Sequence, residues 1–208
     1  MFNIKTADDV PGHIFPSQMN HIRRIAASLP KGSNVLEIGC AWGRSTWCWL
    51  DGLPEGSTLT VVDPFLFGYD GLRIGKHKKR QAGVWNNPVV NDVMNYWEVN
   101  GPQKAWEAVI AEHPKKDMIK QLYVGFSRTF AAENNESWNV VYLDGDHRYK
   151  HINRDLLDFE PRTEMICGDD YEPETQQGVI QAVDEMIART GRTFWLDPES
   201  VFWTATKN

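Results

Sequence analysis

Val35-Leu36-Glu37-Ile38-Gly39-Cys40-Ala41-Trp42-Gly43-Arg44-Ser45 reads as a buried strand that runs into a glycine turn and then a helix. The run Asn34–Ile38 is short and apolar apart from Glu37, as expected for a strand covered on both faces. Gly39 and Gly43 let the backbone of the turn approach a ligand closely. A helix is expected over residues 43–53, stopped by Gly52 and Pro54. Upstream, Ile14, Met19, Ile22, Ile25 and Ala26 give a loose helical stripe that Pro30-Lys31-Gly32 ends, so residues 1–30 read as a helical lead-in.

Downstream the same unit recurs. Strands are expected at Thr58–Asp63 and over residues 118–124, 139–144 and 164–169, and helices over 103–112, 127–134, 149–159 and 178–189. Alternating strands and helices imply a parallel sheet with helices on both faces. Residues 193–196 and 200–206 form two last strands around Asp197-Pro198-Glu199, a connection short enough to require antiparallel pairing. The expected fold is α/β, with a central, mostly parallel seven-stranded sheet ending in an antiparallel C-terminal hairpin. A single domain spans 1–208. Residues 65–101 lack clear periodicity and read as an insertion or cap; their basic run, Lys76-His77-Lys78-Lys79-Arg80, suits an acidic substrate, and Trp85, Tyr96 and Trp97 suit a ring.

Composition narrows the function. The 208 residues are 41% hydrophobic and 24% charged, ordinary for a globular chain. A formal net charge of -6 disfavours a nucleic-acid partner. No long uncharged apolar run is present, so no membrane span is expected, and the first residues lack the pattern of a secretion signal. Cys40, Cys48 and Cys167 include no CxxC pair and read as reduced packing thiols in a cytoplasmic protein. Nine tryptophans suggest aromatic-lined cavities as well as core.

Two sites stand out. The first is the turn itself. Ligands of open parallel sheets bind beyond the carboxyl ends of the strands, and Asp63, closing the second strand, could accept hydrogen bonds from a ribose diol. The spacing is Glu-x-Gly-x-x-x-Gly rather than GxGxxG, and Glu37 suits a cationic ligand such as a sulfonium better than a pyrophosphate. The second site is acidic. Leu143-Asp144-Gly145-Asp146-His147 and Gly168-Asp169-Asp170 each end a strand; neighbouring strands lie about 4.8 Å apart, so Asp144, Asp169 and Asp170 could converge on a hard cation. The alternative is that Asp169 and Asp170 cap a loop while Asp144 bonds backbone. His147 is placed to accept a proton from a substrate. His147 and His151 also have the i, i+4 spacing of a zinc pair, but without the glutamate of HExxH.

These motifs carry a resemblance. Residues 35–45 together with Val62-Asp63 resemble the first motif and ribose-binding acid of class I S-adenosylmethionine (SAM) methyltransferases, with their Rossmann-like fold. Leu143-Asp144-Gly145-Asp146-His147-Arg148-Tyr149 with Gly168-Asp169-Asp170 resembles the metal-dependent O-methyltransferases, and most closely the branch called methyltransferase family 24. The resemblance implies that Glu37, Gly39, Gly43, Ser45, Asp63, Ser127 and Asp144 bind the cofactor, with Ser127 near the adenine. It implies that Asp144, Asp169 and Asp170 hold a divalent metal, Mg²⁺ in the catechol-type enzymes, and that His147 is catalytic. Catechol-type enzymes carry lysine where this chain has His147; histidine fits the sugar-modifying branch and points to a small-molecule hydroxyl as acceptor. The resemblance leaves room for a homo-oligomer. Competing readings are a metal-independent methyltransferase, a nicotinamide-binding oxidoreductase, and a SAM-binding module without turnover.

Overall fold

The computed structural model describes residues 1–66 and 87–208. Its strands are β1 (Asn34–Ile38), β2 (Thr58–Asp63), β3 (Ile119–Val124), β4 (Trp138–Leu143), β5 (Thr163–Gly168), β6 (Thr193–Leu196) and β7 (Trp203–Thr206). Its helices are α1 (Pro16–Ser28), α2 (Arg44–Gly52), α3 (Pro88–Asn100), α4 (Pro102–Ile110), α5 (Ser127–Glu133), α6 (Tyr149–Phe159) and α7 (Gln177–Thr190). The strands form one sheet in the order β3-β2-β1-β4-β5-β7-β6. The first five are parallel; β7 runs antiparallel between β5 and β6.

Strand β1 is the pivot. It pairs with β2 through Ile38 opposite Val62, and with β4 through Ile38 opposite Leu143. The chain leaves β1 toward β2 and β3 on one side and returns to β4 and β5 on the other, so a crevice opens above Ile38.

The two faces of the sheet bury different sets of alternating residues. Val35, Leu59, Val61, Val140 and Tyr142 join one core with the apolar stripes of α1 to α4. Leu36, Ile38, Val62, Val141 and Leu143 join a second with α5, α6 and α7. Each fully buried aliphatic side chain contributes about 1.5–3 kcal/mol before the ordering cost. Buried Arg192 closes the C-terminal edge: it pairs with Glu160 at 2.7 Å and donates to the Glu160, Thr163 and Glu164 carbonyls.

Several expectations need correction. The lead-in carries a short 3-10 turn at Ala7–Asp9 and then α1, whose buried face includes the expected Met19, Ile22 and Ala26, with irregular chain before and between them. Residues 65–101 are not devoid of regular structure, because α3 lies within them. Asn87 caps it by accepting from Val89 N at 2.9 Å, Pro88 takes the first turn, and Val90, Val93, Met94 and Trp97 bury one helical face. Trp97 is therefore core, and Tyr96 packs edge-on against Phe2. The basic run 76–80 and Trp85 lie outside the described residues. The final strand starts at Trp203 rather than at residue 200. Tryptophans serve mainly as core: Trp47, Trp49, Trp106, Trp138 and Trp203 are each at most 3% exposed. All three cysteines are buried free thiols.

Candidate active site

The glycine turn draws three strand ends together. Gly39 N donates to Val62 O at 2.9 Å, and Asp144 N donates to Ile38 O at 2.9 Å. Gly39 has φ +85°, and a Cβ there would lie 2.2 Å from the Asp144 carbonyl oxygen. Only glycine allows so close an approach with that backbone. Asp63 organises the turn: Oδ2 accepts from Cys40 N at 2.8 Å and Ala41 N at 3.1 Å, and Oδ1 accepts from Phe65 N at 2.6 Å. Asp63 lines the crevice as expected, but its carboxylate already holds three backbone donors.

Glu37 departs from expectation. On β1 it faces the core with Val35, is fully buried, and accepts from Thr46 Oγ1 at 2.6 Å. It does not line the crevice. Burial pushes its carboxyl up to about 8, against the hydrogen bonds of Ser45 and Thr46. Gly43 is likewise outside the crevice wall, set against the Trp106 ring, whereas Ser45 lines it.

The acidic motifs do meet. Leu143 pairs with Gly168, so Asp144 and Asp169 leave adjacent strands side by side. His147 Nε2 lies 3.1 Å from Asp170 Oδ2 and 3.6 Å from Asp144 Oδ1. One ligand atom from each of Asp144, His147 and Asp170 lies within 4.8 Å of the other two. Asp170 is held at φ +64°, a conformation L-residues seldom adopt and one that recurs at functional sites. Tyr142 OH donates to Asp144 Oδ2 at 3.2 Å from beneath.

Asp169 is placed differently from expectation. Its two carboxylate oxygens accept from Gln18 Nε2 at 2.6 and 2.7 Å, and it is absent from the convergent set. Burial, then the Asp144 and Asp170 charges, push its carboxyl up to about 7. Burial also raises Asp170, against the attraction of His147. Burial alone would lower the His147 imidazole, but Asp144, Asp170 and Asp169 outweigh it and raise it. Helix α6 starts at Tyr149, so His147 precedes the helix and does not share a face with His151, which is turned toward Asp146.

Both sites open into one cavity of about 1340 Å³. Ser127 lines it and donates to Asp155 Oδ1 at 2.5 Å; burial pushes the Asp155 carboxyl up to about 6. Residues 11–15, with Ser17 and Gln18, form a further wall. Arg44 fastens that wall by donating to Val10 O at 2.7 Å and Ile14 O at 3.1 Å. The sequence reading missed Gln18, Arg44 and Asp155. Pro16 and Gln18, at the first and third positions of α1, mark a helix start, but nothing local names partners 151 residues away.

The strand order, the antiparallel last pair and a glycine turn at the pivot above an acid-lined cavity define a class I methyltransferase. A family model described as a methyltransferase domain matches residues 36–168, and the chain belongs to that family, methyltransferase family 24. It is thus a SAM-dependent methyltransferase. Similar solved structures include the O-methyltransferase NovP, with 18% identity, a TM-score of 0.63, and coverage of 92% of this chain and 79% of that one. TomG from Streptomyces achromogenes, an O-methyltransferase of tomaymycin synthesis solved with SAM, has 12% identity and a TM-score of 0.58 over 93% and 81%. CalS11, a TDP-rhamnose 3'-O-methyltransferase of calicheamicin biosynthesis, has 13% identity and a TM-score of 0.54 over 91% and 77%. These likenesses extend the shared fold over nearly the whole chain. No curated protein matches the sequence. Among the described residues, no helix is long and apolar enough to cross a membrane.

Proposed function

We propose that this chain transfers the SAM methyl group to a hydroxyl oxygen of a small polyhydroxylated acceptor, sugar-like in character, with the aid of a divalent cation such as Mg²⁺. The observation that carries the reading is the convergence of Asp144, His147 and Asp170 on the wall of the cavity that also holds the Gly39 turn. Two hard carboxylates fit a divalent ion and leave the neighbouring His147 imidazole to take a proton, and a cation would offset the Asp144 and Asp170 charges that, after burial, push the Asp169 carboxyl up. Asp144 and Asp170 would hold the ion beside His147; once bound, it would lower the pKa of an acceptor hydroxyl.

The cavity exceeds the roughly 300–1,000 Å³ of an ordinary ligand pocket, leaving room for cofactor and acceptor together. Gly39, Ser45 and Ser127 all line the cavity; the Gly39 turn and Ser45 would face the amino-acid end of the cofactor, and Ser127 its adenine. His147 accepts the hydroxyl proton. The oxygen attacks the sulfonium methyl carbon, the C–O bond forms, and the S–C bond breaks with its electron pair passing to sulfur. S-adenosylhomocysteine leaves. Positioning, worth up to about 7–11 kcal/mol, supplies most of the acceleration. CalS11, by its name, methylates a sugar hydroxyl, which favours such an acceptor here. The buried free thiols suit a reducing, cytoplasmic setting.

The test is transfer of labelled methyl to a panel of sugar nucleotides, glycosides and catechols, with and without EDTA. We expect transfer to sugar hydroxyls that stops on chelation and returns with Mg²⁺. Full turnover after chelation would remove the cation, and transfer confined to nitrogen acceptors would remove the O-methyl assignment.

A further inference from the structure

We infer that Asp155, acting with Ser127, makes the cavity select a purine that carries an amine over one that carries an oxygen in its place; this rests on the placement of adenine beside Ser127 proposed above. Ser127 Oγ donates to Asp155 Oδ1 at 2.5 Å. A hydroxyl has a single proton, so Ser127, having committed it to the carboxylate, turns only lone pairs toward the cavity. The second carboxylate oxygen, Oδ2, has no hydrogen-bond partner among the described residues. Asp155 is 6% exposed and forms part of the cavity wall. An acid so enclosed and only half satisfied is costly until a ligand donates to it. The adjacent Arg154 pairs with Asp158 at 2.8 Å, so it is not the counter-ion of Asp155.

The pair therefore presents acceptors and no donor. Adenine offers it an amine; hypoxanthine, with oxygen at that position, offers another acceptor. Burial pushes the Asp155 carboxyl up to about 6, with Asp158 and Asp146 adding to the rise and Ser127 and Arg154 opposing it, so at about pH 8 it is ionised and cannot donate. The flat face of a base has a partner as well: Phe126 is 58% exposed, lines the same cavity and directly precedes Ser127. Ser127 is the first residue of α5 and Asp155 lies within α6, so their contact also ties two helices. That tie alone would hold the cavity's shape without telling one base from another.

The experiment is calorimetric titration of the full chain, at about pH 8, with S-adenosylhomocysteine and with S-inosylhomocysteine, in which oxygen replaces the adenine amine. It compares wild type, Asp155→Ala and Ser127→Ala, each checked for folding by its melting transition. Wild type should prefer the adenine compound by about tenfold or more, the scale of an acceptor left facing an acceptor. Asp155→Ala frees the Ser127 proton to turn toward the ligand, so the preference should shrink to about threefold or less. Ser127→Ala removes one acceptor and should cut the preference by about threefold or more. Equal wild-type affinities for the two compounds would overturn the inference. A folded Asp155→Ala that binds both compounds more weakly yet keeps the wild-type preference would overturn it too, because a helix tie alone gives that result. Should Asp155→Ala not fold, Ser127→Ala decides, and an undiminished preference there is the refuting result. Wild-type affinity for S-adenosylhomocysteine retained in both folded variants would instead defeat the placement of adenine at Ser127, and the inference with it.

Discussion

Gly39→Ala and Gly32→Ala form a pair that isolates the close approach at the active-site turn. Both glycines sit at left-handed φ, +85° and +78°, so alanine at either site bears the same backbone penalty, about 1–2 kcal/mol. Restriction of the unfolded chain returns roughly 0.4–1 kcal/mol of that in both cases. The surroundings differ. A Cβ on Gly32 meets nothing within 4 Å, whereas on Gly39 it lies 2.2 Å from Asp144 O, 2.6 Å from Asp144 C and 2.9 Å from Gly145 Cα. These are main-chain atoms that no rotamer change can move, so β1 and β4 must separate. Overpacking of this kind costs about 1–3 kcal/mol, which for a domain of this size is roughly 2–12 °C in melting temperature. Thermal unfolding of both variants, with calorimetric SAM titration, is the assay. Gly39→Ala should melt lower than Gly32→Ala by that margin and bind SAM more weakly, while Gly32→Ala binds as wild type does. Equal melting temperatures would refute the argument that the turn is closed against Asp144.

Three further outcomes are expected. Glu37 has its carboxyl raised from 4.5 to about 8, so the unfolded chain loses that proton first, and the group makes stability fall as pH rises between those values. Glu37→Gln should flatten the decline in urea midpoints across that window, and an unchanged slope would remove Glu37 as its source. Arg192→Ala leaves Glu160 buried without its closest partner and should cost about 3–5 kcal/mol in urea unfolding; a loss below about 1 kcal/mol would show that the edge is held otherwise. Asp170→Asn keeps the size and left-handed tolerance of the residue, so stability should stay within about 0.5 kcal/mol while methyl transfer is lost. Retained transfer would take Asp170 out of the chemistry.

Strands β1, β2, β4 and β5 were legible because each is a short, mostly apolar run closed by a glycine, proline or acid, and Asp144 and Asp169 were legible because they follow such runs. Helix α3 was not, since the flanking Asn86-Asn87-Pro88 reads as a turn although it supplies both the cap and the first-turn proline. Glu37 was recognised as an acid beside the turn, but strand alternation puts it on the face opposite Ile38, away from the cavity. Asp169 and Asp170 look alike in sequence. What separates them is the positive φ of one and the distant Gln18 on the other, and a long-range contact of that kind leaves no local pattern.

Arg44 grips Val10 and Ile14 by their carbonyl oxygens alone. Every amino acid brings that oxygen, so the clasp is indifferent to the side chains just beyond Ile14, although Gly12 must stay small because a Cβ there would lie 2.9 Å from Arg44 Cβ. Phe15 and Ser17 can therefore be exchanged without undoing it, and this wall of the cavity can be re-dressed while the turn beneath stays put. Reshaping of the cavity should begin on this strap.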